Sequence, residues 1–183
     1  MRTLLAILLV VAIAVPAFAG GNPEIQMYVT FDPGAVVSRL DPVPYTLGNA
    51  YICMSEIGAG FTTVSFATDV DAAMVLSASW ATMLPGGLVI GDFATGITLA
   101  STECMVGEIV CIAEGSFVWN GNPGLITILD HPAYPREVVD CVGDTDEYCV
   151  LSNGGVFMDA PPTGECISPV AESTWGGIKA LYR

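Results

Sequence analysis

Basic residues are scarce. Lys and Arg number 5 against 19 Asp and Glu in 183 residues, a formal net charge of −14. A chain this acidic is repelled by nucleic-acid phosphates and anionic lipid, so neither is expected as a partner. Histidine is rarer still, with His131 alone. It stands in Asp130-His131-Pro132, a turn-like setting, and no Gly-x-Ser-x-Gly elbow offers a nucleophile. A Ser-His-Asp hydrolase is therefore not expected. No cysteine pair has CxxC spacing, and one histidine falls short of the usual zinc ligand sets. Charged residues make up only 13% of the chain, so a surface rich in Thr, Ser, Gly and Asn is expected. The chain also lacks an internal repeat, a Pro- or Ser-rich linker and, before its last residues, any sustained helical periodicity.

What is present begins with an export signal. Met1-Arg2-Thr3 is followed by an apolar run from Leu4 to Val15, then Pro16 and Ala17-Phe18-Ala19. Small residues at 17 and 19 are those a signal peptidase reads, so residues 1–19 read as a signal helix cleaved after Ala19. The apolar run is shorter than the roughly 20 residues a permanent span needs. Gly20 and Gly21 stand where a lipoprotein needs cysteine, so no lipid anchor is expected. Residues 20–172 are long enough for one domain, and residues 173–183 form a tail. The uncharged stretch Ala72–Gly91 has the length of a span. It is broken by Pro85-Gly86-Gly87 and is expected to be a turn between two buried strands.

The segment after the signal reads as an all-β, antiparallel sandwich. Ile25, Met27, Val29 and Phe31 alternate with Gln26, Tyr28 and Thr30, the pattern of a half-buried strand. Further runs cover 45–54, 61–68, 73–83, 88–90, 96–101, 108–118, 125–129, 138–141, 148–151 and 156–158. Gly, Pro, Asn or Asp stands in nearly every gap, which predicts nine to eleven strands.

The six cysteines, Cys53, Cys104, Cys111, Cys141, Cys149 and Cys166, are an even set in an exported chain, which favours disulfides. Many pairings are open, including free buried thiols. Cys53 and Cys111 lie within apolar strands with Trp80 between them, a loose match to the pair that joins two immunoglobulin sheets. Trp80 falls later than that pattern places it, and Ile109 stands where its corner tyrosine belongs. Cys104 and Cys141 each end a strand and suit a bridge at the sheet rim, leaving Cys149–Cys166 to close a C-terminal loop.

Three groups of residues invite a function. Asp140, Asp144, Asp146 and Glu147 form the densest acidic run, a candidate calcium loop without EF-hand spacing, with Asp69 and Asp71 a second. A solvated acidic loop is the simpler reading, and no other cofactor is indicated. In the tail, Ser173 caps a short helix on which Trp175, Ile178, Leu181 and Tyr182 recur, with Lys179 and Arg183 near its C-terminal end. It either packs on the domain through Trp175 or is displayed to another protein. Trp80, Trp119 and Trp175 make a sugar platform if exposed and coplanar, with Trp119-Asn120-Gly121 the best-placed turn; packing within its hairpin is the simpler reading of Trp119.

Three stretches carry a resemblance: Gly96-Ile97-Thr98-Leu99-Ala100 leading to Cys104, His131-Pro132 through Asp140-Cys141, and the tail Trp175-Gly176-Gly177-Ile178-Lys179-Ala180-Leu181-Tyr182-Arg183. Through them the chain resembles a group of small secreted bacterial proteins with a cohesin-like or immunoglobulin-like sandwich. The resemblance implies no catalytic residue, and a cohesin would imply a dockerin partner. The expectation is a non-enzymatic binding or structural module in the bacterial envelope or outside the cell, recognising an extracellular protein or polysaccharide. A secreted hydrolase with an Asp/Glu pair and a carbohydrate-binding module are the alternatives. Two converging carboxylates with stacking aromatics in one cleft would favour the hydrolase; a flat face would favour binding.

Overall fold

The computed structural model describes residues 25–158 together with Gly164 and Cys166. The signal segment and the tail with Trp175, Ile178, Lys179, Leu181, Tyr182 and Arg183 lie outside the described residues.

Among the described residues, thirteen short strands form two layers. The first sheet runs in the order β12 (Cys149–Ser152), β1 (Gln26–Thr30), β3 (Leu47–Ser55), β8 (Ile109–Trp119), β5 (Val75–Thr82). The second runs β11 (Thr145–Glu147), β10 (Glu137–Asp140), β4 (Phe61–Val70), β9 (Gly124–Leu129), β13 (Gly154–Val156), β2 (Arg39–Leu40). To β4 is also paired β7 (Gly96–Met105), which carries β6 (Leu88–Asp92). Most ladders are antiparallel. Two are parallel, β1 with β12 and β2 with β13, so the sandwich is mixed where pure antiparallel pairing is expected from the sequence.

Alternation explains most of the layering. On β4, Val64 and Phe66 turn inward and meet Leu99 and Ile97 of β7, all four in the core. On β8 the alternation changes phase once. Ile112 and Ala113 are both buried, and the register with β3 shifts between Ile52 and Cys53. The extra residue is a β-bulge, which returns Val110 to the core side and turns Cys111 away from it.

Strand β1 departs from the expected half-burial: Met27, Tyr28, Val29 and Thr30 are all buried. Its outer face is covered in part by the chain that follows. The Thr30 hydroxyl accepts the N–H of Asp32 and Val37 and donates to the carbonyl of Ala35 at 2.6 Å. Residues 32–37 thus fold back over it.

An aromatic row crosses the core. Trp119 stacks on Phe117 with centroids 5.1 Å apart, Phe117 meets Trp80 edge-on, and Trp80 stacks on Phe93. Gly115 makes room for it, since a Cβ there would stand 2.4 Å from the Phe117 ring and 2.9 Å from Trp80.

The stretch Ala72–Gly91 differs from expectation. Its two strands are exposed edges rather than buried strands. Among the described residues β5 ends the first sheet, β6 pairs with β7 alone, and most of their residues are exposed. Neutral composition here does not reflect burial on both faces.

Candidate protein-binding face

The outer face of β10, β4, β7 and β6 follows from register. Val64, Phe66, Ile97 and Leu99 point into the core, so their neighbours along each strand point out. Paired residues share a face, which sets Val139, Thr63, Ala100 and Leu88 in one row and Ser65, Thr98 and Ile90 in the next. Ala67 and Leu129 pair further along. These rows hold hydroxyls, methyls and three exposed aliphatic side chains: Leu88 60%, Ile90 57% and Leu129 44% accessible. None of these is charged, in a chain with a net charge of −14; the same register sets exposed Asp69 beyond Ala67, exposed Asp92 beyond Ile90 and Glu137 beyond Val139, at the ends of the rows.

The rows are held firmly. Ser65 and Thr98 share a hydroxyl hydrogen bond of 2.9 Å across β4 and β7. The Tyr148 hydroxyl donates to the Ser65 carbonyl from the core side at 3.2 Å. Burial, and then the charge of Asp130, raise the Tyr148 phenol above its ordinary pKa. The disulfide Cys104–Cys141 links β7 to the chain just after β10, the two strands that flank β4. The β6–β7 turn is tied by Asp92, whose carboxylate accepts the N–H of Ala94 and Thr95 and the Thr95 hydroxyl. These bonds, the Thr95 hydroxyl first, hold the Asp92 carboxyl below its usual pKa.

All six cysteines are paired, as Cys53–Cys111, Cys104–Cys141 and Cys149–Cys166. The first pair does not join two sheets, as the immunoglobulin comparison would have it. β3 and β8 are neighbours in one sheet.

The other sequence candidates are dispersed. Asp140 Oδ1 accepts the N–H of Val142, Gly143 and Asp144 at 2.8–2.9 Å. It closes its own turn, while Asp146 lies in β11 opposite Val138. Asp140, Asp144, Asp146 and Glu147 do not converge: among the described residues no three His, Cys, Asp or Glu side chains are grouped to hold a metal. Asp71 likewise bonds the N–H of Ala73. His131 Nδ1 accepts the N–H of Ala133 and Tyr134, and its ring stacks on Tyr134. Asp130 holds Arg136 at 2.9 Å rather than orienting the imidazole.

Trp119, the best-placed candidate for a sugar platform, is fully buried, in keeping with the simpler reading of hairpin packing. The turn after it is exposed, but the indole belongs to the core row. Trp80 is half-buried and stacked on Phe93. A groove beside it is lined by Thr68, Asp69, Ser79 and Phe93, with one carboxylate. A second open groove holds Glu56 and Glu108 between two loops, without an aromatic. Neither combines paired carboxylates with a stacking ring.

The candidate face escaped the sequence reading because it needs the β6–β7 register. Its one sequence signal is the charge-free stretch that supplies Leu88 and Ile90.

No protein-family profile matches the chain, and no curated protein matches it in sequence. Solved structures do match. A cohesin module from a Clostridium perfringens family 33 glycoside hydrolase aligns with TM-score 0.53 and 8% identity, covering 73% of this chain and 95% of that one. The sixth cohesin of scaffoldin B from Acetivibrio cellulolyticus, solved in complex with a Cel5 dockerin mutant, aligns with TM-score 0.52 and 13% identity, over 73% and 97%. A non-cellulosomal cohesin from the archaeon Archaeoglobus fulgidus gives 0.52 and 11%, over 73% and 89%. At these identities the likeness establishes the fold, a cohesin-like β-sandwich.

Proposed function

We propose that this chain is a non-enzymatic protein-binding module that works outside the cytoplasm, and that its partner docks on the outer face of β10, β4, β7 and β6. The observation that carries this reading is the uncharged centre of that face, bounded by Asp69, Asp92 and Glu137, in an acidic chain. Neutral hydroxyls and exposed aliphatic side chains can be desolvated at low cost, whereas scattered carboxylates cannot. The hydrogen bonds and the disulfide around β4 keep the face preorganised, which lowers the entropy lost on binding. The fold adds support, since one of its solved relatives was captured with a dockerin. A small protein module of that kind is the partner proposed. The signal-like N-terminus and three disulfides support work outside the reducing cytoplasm.

A protein reading is favoured over a polysaccharide because the rows of that face hold no aromatic ring to stack a sugar. The test is capture from the native extracellular fraction by the wild-type chain and by Leu88→Asp/Ile90→Asp. The wild type should retain a protein that the variant releases. Equal retention by both would place binding elsewhere.

A further inference from the structure

The core opens at one margin. On β5, Ala78 pairs with Phe117 and Trp80 with Gly115. Phe117 points into the core, so Ala78 and Trp80 face the same way. Yet Ala78 is exposed, and Trp80 and Phe93 are only half-buried. The groove at this margin has a volume of about 380 Å³, lined by Asp69, Val70, Ala78, Ser79, Trp80 and Phe93. The stacked pair Trp80 and Phe93, with centroids 5.4 Å apart, continues the aromatic row of the core. Asp69 sets one exposed carboxylate beside it. The group that complements this groove brings apolar surface together with a cation.

One segment of the chain has that chemistry. There are 5 basic residues. Arg2 belongs to the signal segment, and Arg39 and Arg136 are paired with Asp41 and Asp130. The other two, Lys179 and Arg183, lie in the tail with Trp175, Ile178, Leu181 and Tyr182. Trp175 and Lys179 stand four residues apart, which on a helix sets ring and ammonium side by side. The groove with Glu56 and Glu108 has carboxylates but no ring, so it matches half of this pattern only.

The tail starts within reach. Cys166 is tied to Cys149 and donates its N–H to the Val150 carbonyl, at the β12 edge of the first sheet. Val150 lies in one row with Met27, Met54 and Val110, and β5 is the fourth strand beyond β12. Trp80, opposite Gly115, is thus about 19 Å across the sheet and about 17 Å along it, roughly 25 Å in all. Nine extended steps from Cys166 to Trp175 span up to about 30 Å. Within one chain the tail meets the groove at a millimolar effective concentration, whereas a second copy brings the repulsion of a chain with net charge −14.

We infer that the tail docks on its own domain at this groove, with Trp175 against Trp80 and Phe93 and Lys179 paired with Asp69. The docked tail closes the core beside β5. It leaves Leu88 and Ile90 of the proposed partner face uncovered.

Carbodiimide coupling followed by peptide mapping tests this, because Lys179 is the one lysine of the chain. Isotope-labelled and unlabelled chains from Gly20 to Arg183, disulfides formed, are mixed in equal amounts and treated at low micromolar concentration. The expected product is an amide between Lys179 and Asp69 with both halves from the same chain. Trp175→Ser, a change outside the sandwich, should lower its yield by about tenfold or more. Asp69→Asn should remove it without passing the coupling to a neighbouring carboxylate. Absence of the Lys179–Asp69 amide, an amide that joins labelled to unlabelled chain, or a yield that Trp175→Ser leaves unchanged overturns the proposal. The purified chain is used alone, so the result is independent of the partner face.

Discussion

Cys53 and Cys111 face each other across β3 and β8 on the side of the sheet turned away from the core, with Cα atoms 3.8 Å apart. The core side of the same strands is left to Ile52 and Ile112. The bulge at this point allows both arrangements, because it reverses the facing of β8 between Ala113 and Cys111. The bridge therefore staples strand to strand within one layer, and the cohesion of the two layers is left to apolar packing.

The three bridges close loops of different length, with separations of 58, 37 and 17 residues. Loop-closure entropy makes the longest the most stabilising. Cys53→Ala/Cys111→Ala should cost about 1 kcal/mol more than Cys149→Ala/Cys166→Ala, within a typical range of about 2–4 kcal/mol per bridge. Urea unfolding of the two double variants measures the difference, and a reversed order would count against the entropic ranking.

Gly115 is glycine for want of space beside Phe117 and Trp80. Gly115→Ala should destabilise by about 1–3 kcal/mol through overpacking of the aromatic row. The same methyl at Gly143, with open space around its Cβ position, tests backbone strain alone, since its φ is +96°. Thermal melts monitored by tryptophan fluorescence should show a shifted indole environment only for Gly115→Ala.

Tyr148 is buried and hydrogen-bonded to Ser65, and burial raises its pKa above 10.0. The native state then keeps a proton that the unfolded chain releases near its ordinary value. The stability this contributes is whole below that pH and is lost as pH climbs toward the native value. Tyr148→Phe should cost about 0.5–1.5 kcal/mol at neutral pH. It should also flatten the fall in urea midpoint between about pH 9 and about pH 11. An identical alkaline slope in both proteins would place the titration on another group.

Asp140 spends one carboxylate oxygen on three backbone amides of its own turn. Millimolar calcium should therefore leave the melting temperature unchanged, whereas Asp140→Ala should lower it by removing those bonds. A rise with calcium that Asp140→Asn abolishes would reinstate the loop as a cation site.

The layers of this fold were legible in the sequence where alternation was clean. Val64 and Phe66 share a face as their spacing implies, and Gly, Pro, Asn and Asp mark most turns. The three disulfides join the cysteines that strand positions paired. Packing of Trp119 in its hairpin is the simpler reading before an Asn-Gly turn, and its indole belongs to the aromatic core. Two features were not legible. Thr30 and Tyr28 are buried on a face that alternation assigns to solvent, in part because residues 32–37 fold back over it. The neutral run Ala72–Gly91 reads the same whether a strand is buried on both faces or lies at an open edge, because periodicity does not report which strand lies alongside. The candidate face depends on that information and emerges only with the pairing of Leu88 to Ala100 and Ile90 to Thr98.

The central claim, that a protein partner docks on that face, is tested most directly by site-specific photo-crosslinking. A benzophenone side chain is placed in turn at Ile90, on the candidate face, and at Thr145, on an exposed strand elsewhere, and each protein is irradiated in the native extracellular fraction. The account predicts one protein adduct from position 90, competed away by unlabelled wild-type chain, and none from position 145. The same adduct from both positions, or from position 145 alone, would contradict it.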